Sequence, residues 1–573
     1  MRNYKKRIAI VLIIKSLSTI TELLIPYVLE HLIDDVVVTE QVPKIIFWGG
    51  VMVILAVLAR FLNVTANRRG VHVSRDCTYE IRRDLFWSSM NLSGSQVDEF
   101  GLPSLTSRMT SDSYNIQNFI RSIQTMGVRA PFMLIGGIAI TLTMDVGLAM
   151  ILVIIAPILI VLVVFISFKG VPLYQKVQQK VDDIVRVMRE NITGIRVVKA
   201  LSKEDYEKRR YNSVNDDLTR SDIKASIVMA LPGPVMSLFL NVGLTLVVYI
   251  GAVRVNAGLT QPGVILAFLT YFNMVLMGIM GVSRIFLMYS KANASAQRIA
   301  AVVLKEEDLV PIAEEAAAKP ETDDYIIFDH VDFSYNKLKE DSPEGRQQTL
   351  YDIDFRIRKG GSLGIIGATG CGKTTIFNLL MRFYDADGGH IFVDGRDVRT
   401  YEKDELHNMF GVVFQNDVIL TGQIKDNIVF GRQVTDHDIE LAAEDACASE
   451  FINRYEDTYN HQTTKLGANL SGGQKQRVLI SRALAAQPQI LLLDDSSSAL
   501  DYKTDAQLRK AIREHHKDTT TLVVAQRISS IMSLDEIIVL DEGRIIGKGT
   551  HEELLKSCPS YAEIYKTQMG GEN

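Results

Sequence analysis

The stretch SLGIIGATGCGKTTIFNLLMRF (residues 362–383) decides how the second half of the chain folds. It begins as an apolar strand, matches the pattern GxxxxGK[ST] at residues 367–374, and continues with helical spacing. In a strand–loop–helix setting, the glycines let backbone N–H groups curl around phosphate oxygens at a helix N-terminus. The sequence therefore predicts an α/β domain that binds a nucleotide through this loop.

A second apolar strand, in ILLLDDSSSALD (residues 490–501), ends in two aspartates. Asp494 is suited to hold Mg²⁺ together with the Thr374 hydroxyl, while Lys373 would meet the β- and γ-phosphates. A buried strand that simply ends in an exposed acid is the alternative, but it is a poor explanation beside a phosphate loop. We expect ATP and Mg²⁺ as the ligands.

The first half of the chain contains six apolar segments. Three windows without any charged residue, 146–168, 225–253 and 255–283, are long enough for a membrane-spanning helix of about 20 residues. Residues 45–59 and 130–144 are shorter, and residues 8–29 are apolar apart from Lys15 and Glu22. Since 47% of all residues are hydrophobic and 23% are charged, we expect a membrane part joined to a water-soluble part.

Loop charges predict the orientation of these spans. The start MRNYKKR and the loops near 60–129 and 169–224 are basic, whereas EHLIDDVVVTEQ after the first span is acidic. Both termini are therefore expected in the cytoplasm of a multi-pass cell-membrane protein. A net charge of −5 gives no support for nucleic-acid binding.

A change in composition predicts the domain boundaries. Residues 305–324 are acidic and alanine-rich with prolines, as in a linker, and short β-rich runs alternate with helices from 325 onward. We expect a six-helix transmembrane domain with long cytoplasmic extensions at 1–304, a linker at 305–324 and a nucleotide-binding domain at 325–573.

The motif LSGGQ (residues 470–474) lies between the phosphate loop and Asp494. With these three elements in this order, the chain resembles ATP-binding cassette (ABC) transporters, specifically exporter-type half-transporters with six spans before one nucleotide-binding domain. The resemblance covers essentially the whole chain. It implies an α-helical exporter-type membrane domain followed by an α/β P-loop domain, with docking segments at 108–117 and 201–211 that couple the two.

The resemblance assigns roles residue by residue. It implies that Tyr335 stacks on adenine, that Gln415 joins Thr374 and Asp494 around Mg²⁺, and that Ser498 and Asp501 form a loop that crosses to a second subunit. The remaining ATP-binding positions are Gly367, Thr369, Gly370, Cys371, Gly372, Lys373 and Thr375. The residues that would act on the partner's ATP are Ser471, Gly472, Gly473 and Gln474.

Two positions depart from the family pattern. A glutamate that activates water normally follows the Asp494 position, but here it is Asp495, and the switch histidine is replaced by Gln526 in LVVAQRISS. Aspartate withdraws the carboxylate by about 1 Å, and a misplacement of that size can cost about 10²-fold in rate. Glutamine donates a hydrogen bond but cannot carry a proton as histidine does. The site is predicted to bind ATP and to hydrolyse it poorly.

An intact LSGGQ beside a damaged hydrolytic site resembles one subunit of bacterial heterodimeric multidrug ABC exporters. The expected partner is a second half-transporter with a glutamate after its Walker B aspartate and a switch histidine. A slow homodimeric exporter of lipid or peptide, which uses Asp495 as its base, remains an alternative. So does a nucleotide-gated sensor that transports nothing.

The expected substrate is a small hydrophobic or amphiphilic compound, and three residues are candidates for its cavity. Lys15 and Glu22 lie seven residues apart on one helical face, and charges inside a membrane are functional candidates. Alternatively, Lys15 reaches the membrane interface and Glu22 makes a structural hydrogen bond. Met277 belongs to a methionine stripe that adapts to varied shapes, although ordinary packing also explains such a stripe.

Overall fold

The computed structural model describes residues 4–320, 322–335 and 348–570. It contains two compact units. The first comprises the chain up to Met90 together with Leu102–Lys305, and the second comprises Asn91–Gly101 together with the chain from Glu306 onward. Residues 1–3, part of the basic start used to predict orientation, lie outside the described residues.

The first unit is entirely helical in its described regular structure. Ten helices are found up to Val303: α1 Lys5–His31, α2 Val42–Asn91, α3 Gly94–Phe100, α4 Leu102–Ser107, α5 Ser113–Met144, α6 Val146–Thr193, α7 Ile195–Ala200, α8 Glu204–Ala230, α9 Pro232–Asn256 and α10 Pro262–Val303. Of these, α3 belongs to the second unit. Within the described residues, six helical segments are long and apolar enough to cross a membrane, which confirms the six predicted spans.

Close helix contacts hold the first unit together. The apolar face of α6, including Leu152 and Leu159, is buried against Phe272 of α10. At Gly278, an added Cβ would lie 2.8 Å from the Ala130 carbonyl oxygen, so only glycine lets α10 approach α5 this closely. Asp145 begins α6 by accepting a hydrogen bond from the Leu148 N–H at 3.0 Å.

The second unit is an α/β domain. Its strands are β1 Ile326–Phe333, β2 Leu350–Ile357, β3 Ser362–Gly367, β4 Gly388–Val393, β5 Arg396–Asp397, β6 Phe410–Val413, β7 Gly422–Gln423, β8 Gln462–Thr463, β9 Ile490–Asp494, β10 Thr520–Val524, β11 Glu536–Asp541 and β12 Arg544–Gly549. Its further helices are α11 Lys373–Leu380, α12 Lys403–Asn408, α13 Ile424–Val429, α14 Asp436–Asp445, α15 Ser449–Ile452, α16 Gly472–Leu484, α17 Tyr502–His515, α18 His551–Ser557 and α19 Pro559–Met569.

The central sheet has the order β12-β11-β3-β10-β9-β6 and is parallel except for the β11–β12 pair. All five residues of β9 are buried, as expected for a parallel strand that is covered on both faces. An antiparallel sheet, β2-β1-β4-β5, packs beside it through a shared apolar core. Because β3, β10, β9 and β6 are neighbours and parallel, the residues that follow them meet at one edge of the sheet.

Helix α3 packs in the second unit and changes one prediction. The side chain of Ser93 caps α3, and the hydroxyls of Ser93 and Ser95 donate to Asp308 at 2.9 and 2.7 Å. The Tyr384 hydroxyl donates to Asp98 at 2.6 Å. The docking segment predicted at 108–117 was therefore placed too late: residues 108–112 form a π-helical turn leading into α5, and residues 91–101 make the contacts. The segment at 201–211 stays a prediction.

Candidate nucleotide site

The phosphate loop connects β3 to α11 and has the backbone that its glycines predict. Gly370 and Gly372 have φ values of 85° and 103°, a region that L-residues with a side chain rarely occupy. An added Cβ at Gly372 would also lie 2.6 Å from Leu350 Cδ2. The loop is thus held open around the N-terminus of α11, where backbone N–H groups and the helix dipole favour phosphate.

Lys373 lies inside the curl of this loop. Its ammonium donates to the carbonyl oxygens of Gly367 at 2.9 Å and Ala368 at 2.7 Å. Such contacts hold the charge next to the position where phosphate oxygens would replace those carbonyls. Cys371 is buried beneath the loop with its Sγ 3.8 Å from the Lys373 Nζ, and burial raises the pKa of the thiol. The thiol is therefore less reactive than a free cysteine.

Thr374 and Asp494 lie side by side. The threonine hydroxyl donates to Asp494 Oδ2 at 2.7 Å, although the two residues are 120 positions apart in sequence. Burial raises the pKa of Asp494, and the charge of neighbouring Asp495 raises it further. Mg²⁺ in phosphate sites takes oxygen ligands from the protein, and an adjacent hydroxyl and carboxylate supply such oxygens. A bound cation would also offset the cost of burying the negative charge.

Asp495 and Gln526 contact each other directly. Gln526 follows β10 and its Nε2 donates to Asp495 Oδ2 at 2.9 Å. The backbone N–H of Asp495 donates to the Val524 carbonyl at 2.8 Å, and Asp495 adopts φ 49°. Burial raises the pKa of this carboxyl, which is 9% exposed. One lone-pair region of the carboxylate is therefore occupied by an amide that cannot accept a proton.

The sequence missed a residue that holds this switch segment. The Nε2 of Gln568, on α19, donates to the Gln526 carbonyl at 2.7 Å, and its Oε1 accepts the Ile528 N–H at 2.8 Å. One side chain thus fixes the backbone on both sides of Arg527. Its distance along the chain, and an ordinary helical context, left no sequence signal for this role.

Tyr335 and Gln415 border the site. The Tyr335 hydroxyl donates to Thr375 at 3.0 Å and accepts from Asn378 at 3.2 Å, and the ring lies edge-on to Tyr384. The ring, 40% exposed, is thus fixed beside α11, as an adenine-stacking role requires. Gln415 follows β6 and is exposed at the same sheet edge. Thr369 lies in the phosphate loop and is also exposed.

The LSGGQ residues form the start of α16. Ser471 caps the helix, with its backbone N–H donating to Gln474 Oε1 at 2.8 Å. Ser471 and Gly472 are exposed, and an added Cβ at Gly472 would meet nothing within 4 Å, whereas at Gly473 it would lie 3.1 Å from the Ala499 carbonyl oxygen. This open helix N-terminus can receive an anion from outside the chain.

The loop after Asp495 is well ordered by its own hydrogen bonds. The Ser498 hydroxyl donates to the Asp495 carbonyl at 2.9 Å. Asp501 caps α17 by accepting the Thr504 N–H at 2.9 Å and its hydroxyl at 2.8 Å, and these bonds lower the pKa of Asp501.

Both charged residues of the first predicted span have polar partners on other helices. Lys15 is 3% exposed and donates to the side-chain oxygens of Asn63 and Asn67, each at 3.2 Å. Glu22 accepts from Arg129 at 2.7 Å, in a separate ion pair. Met277 is 65% exposed within this chain.

Comparisons with known proteins agree with this geometry. Residues 8–280 match the family model for the ABC transporter transmembrane region, and residues 350–498 match that for the ABC transporter. The chain is 34% identical over 566 residues to the uncharacterized ABC transporter ATP-binding protein YfiB of Bacillus subtilis (strain 168), covering 99% of this chain and 96% of YfiB. It is 32% identical over 579 residues to Rv1273c of Mycobacterium tuberculosis (strain H37Rv), also named an uncharacterized ABC transporter ATP-binding protein, covering 99% and 97%.

The chain belongs to the ABC transporter family. A structure of a bacterial Atm1-family ABC exporter with ATP bound has the same fold, with a TM-score of 0.81 at 23% identity over 100% of this chain and 99% of that one. The fold is thus that of an exporter-type half-transporter, in which a six-helix membrane domain precedes one nucleotide-binding domain. The predicted fold class is confirmed.

Proposed function

We propose that this chain is one subunit of a heterodimeric, ATP-driven exporter of hydrophobic or amphiphilic compounds in the cytoplasmic membrane, with both termini in the cytoplasm. Its own site binds ATP and Mg²⁺ and hydrolyses ATP poorly. Its LSGGQ motif completes a hydrolytic site on the partner, which carries the glutamate and the histidine that are missing here.

The hydrogen bond between Gln526 and Asp495 is the observation that carries this proposal. A general base must reach the attacking water with a free lone pair. Here the carboxylate is short by one methylene and is turned toward an amide donor. Two altered residues that engage each other form a stable arrangement, whereas Lys373, Thr374 and Asp494 keep the geometry that binds ATP.

The signature residues support a partner. Ser471 and Gly472 contribute nothing to this chain's own phosphate loop, because they begin a separate helix with an exposed N-terminus. Mg²⁺, when bound by Thr374 and Asp494, with Gln415 from the neighbouring strand end, would neutralise phosphate charge. ATP would then favour the closed pair of nucleotide domains because it binds that state more tightly.

The test uses the chain without its proposed partner, reconstituted in lipid nanodiscs as pairs of the same chain, so that the LSGGQ of one copy completes the site of the other. We expect negligible steady-state ATPase activity with retained ATP binding, and a large gain in Asp495→Glu/Gln526→His. Lys373→Ala added to that double variant should abolish both binding and the gained turnover. Brisk wild-type turnover that neither substitution improves would contradict the proposal and would favour a homodimer with Asp495 as its base.

A further inference from the structure

A cavity of about 840 Å³ lies in the membrane unit among α5, α6 and α10. One end is apolar: Ile279 and Phe286 of α10 face it, and the Phe286 ring lies 6.4 Å from that of Phe168 on α6. Toward the other end the wall becomes polar, with Ser290 and Lys291 of α10. The cavity is therefore amphiphilic along the axis of α10.

The charges at the polar end do not balance. Among the described residues that line the cavity, Lys291 and Arg298 are basic and none is acidic. Arg298 is already paired, because its Nε donates to Asp112 at 2.8 Å. Lys291 has no acidic partner within the described residues, and its ammonium lies 5.8 Å from the centroid of the Tyr174 ring. One positive charge thus remains available at the polar end.

The dimensions suit a lipid-like chain. Ile279 and Lys291 are twelve positions apart on α10, which corresponds to about 18 Å along the helix. Half of a hydrocarbon core of about 30 Å is the thickness that one acyl chain covers. An extended acyl chain that begins beside Lys291 would therefore end near Ile279.

We propose that this cavity binds a membrane-derived amphiphile with an anionic head group, carboxylate or phosphate, and that Lys291 is the residue that selects its charge. The chain lies against Phe168 and Phe286, and the head group accepts a charge-assisted hydrogen bond from Lys291. This inference rests on the proposed export of amphiphilic compounds and narrows the substrate to anionic ones.

The two ends of the cavity match the two ends of an anionic amphiphile. The aromatic and aliphatic wall favours an apolar chain through its buried area. Lys291 is exposed, so water solvates its charge when no ligand is present. A cationic head group at the same place would meet an unbalanced like charge, which disfavours it. The cavity should accordingly discriminate by head-group charge at constant chain length.

Two photoreactive probes would test this: a palmitate with a diazirine near the end of its chain, and the same chain with a trimethylammonium head. Each is bound without nucleotide to the full-length chain in phosphatidylcholine nanodiscs. Labelled peptides are mapped by mass spectrometry, and affinity is measured by competition with unlabelled probe. We expect labelling near Ile279, where the end of the acyl chain would lie, and a preference of about tenfold for the anionic probe, as for one hydrogen bond to a charged group.

Variants separate the site from general charge. Lys291→Gln should remove the preference, Lys291→Arg should keep it, and Val282→Trp should exclude both probes by filling the cavity. Lys224→Gln, at an exposed lysine of α8 that does not line the cavity, should change nothing. Equal binding of the two probes, or a preference that survives Lys291→Gln, would overturn the head-group assignment.

The failures of the two proposals are distinguishable. Probe binding needs no nucleotide, so a failed ATPase prediction leaves the cavity result intact and removes only the degenerate-site assignment. Labelling elsewhere than the cavity-lining parts of α5, α6 and α10 overturns the cavity, whatever the ATPase result.

Discussion

The contact between Asp495 and Gln526 predicts that repairing the hydrolytic site is not additive. In Asp495→Glu, the amide of Gln526, now 2.9 Å from Asp495 Oδ2, still holds the longer carboxylate away from water. In Gln526→His, the carboxylate of Asp495 loses its hydrogen bond to the amide but is still too short to reach the attacking water. Only the double variant combines reach with an available base.

The magnitudes follow from these contacts. A misplacement of about 1 Å accounts for about 10²-fold in rate. A hydrogen bond from an amide to a charged carboxylate is worth about 1.5–3 kcal/mol, and part of that free energy opposes reorientation of the carboxylate toward the attacking water. We therefore expect gains of about tenfold for Asp495→Glu, about threefold or less for Gln526→His, and about 300-fold for both together. The excess over the product is about tenfold, or about 1.4 kcal/mol of coupling, within the range for residues in contact.

The assay is steady-state phosphate release in nanodiscs from the wild type, the two single variants and the double variant, with ATP affinity measured in parallel. Asp394→Glu is the matched control, because Asp394 is an exposed aspartate after β4 that also adopts φ 49°, and it should leave the rate unchanged. If the two gains simply multiply, the hydrogen bond does not couple the positions. If neither variant gains although ATP binds, the altered residues are not what limits turnover.

Three further results are expected. Ser471→Ala and Thr550→Ala each remove a helix cap worth about 1 kcal/mol, but only Ser471→Ala should abolish the turnover gained by the repaired double variant, as measured by phosphate release. Gln568→Ala should speed hydrogen exchange at the Ile528 amide by up to about tenfold with little change in Tm, because that amide loses its acceptor. His515 forms a hydrogen bond to a carboxylate, which raises the pKa of its imidazole above 6.5. The resulting stabilisation is present below pH 6.5 and is lost as the pH rises through the raised pKa, so His515→Gln should lower Tm more at pH 6 than at pH 9.

The nucleotide site was predictable because its signals are local. The strand, the glycines and the helix around Lys373 follow each other directly in sequence, and the apolar run before Asp494 identifies a parallel strand. Adjacent parallel strands then bring Asp495 and Gln526 to one edge. Sequence could predict that both lie near the phosphate loop, but not that they bond to each other.

Long-range partners explain what the sequence missed. The first docking segment was misplaced because α3 is short and polar, although Ser93 and Gln96 have the spacing of a capping box and could have marked its start. Lys15 is buried because Asn63 and Asn67 reach it from α2. Those asparagines lie four residues apart, about one helical turn, and were the available signal.

Backbone conformation explains why aspartate suits position 495. At φ 49° the residue lies in the left-handed region, where aspartate is several-fold enriched because its short polar side chain can bond locally. A glutamate at this φ would reach closer to the attacking water but would lose the conformational preference that aspartate has there. The residue that is better for hydrolysis is therefore less favourable for the backbone conformation at this position. A subunit whose partner performs the hydrolysis is free of that conflict. Under the proposed heterodimer, the two altered residues form one change: aspartate is the residue that the turn prefers, and Gln526 donates a hydrogen bond to its carboxylate.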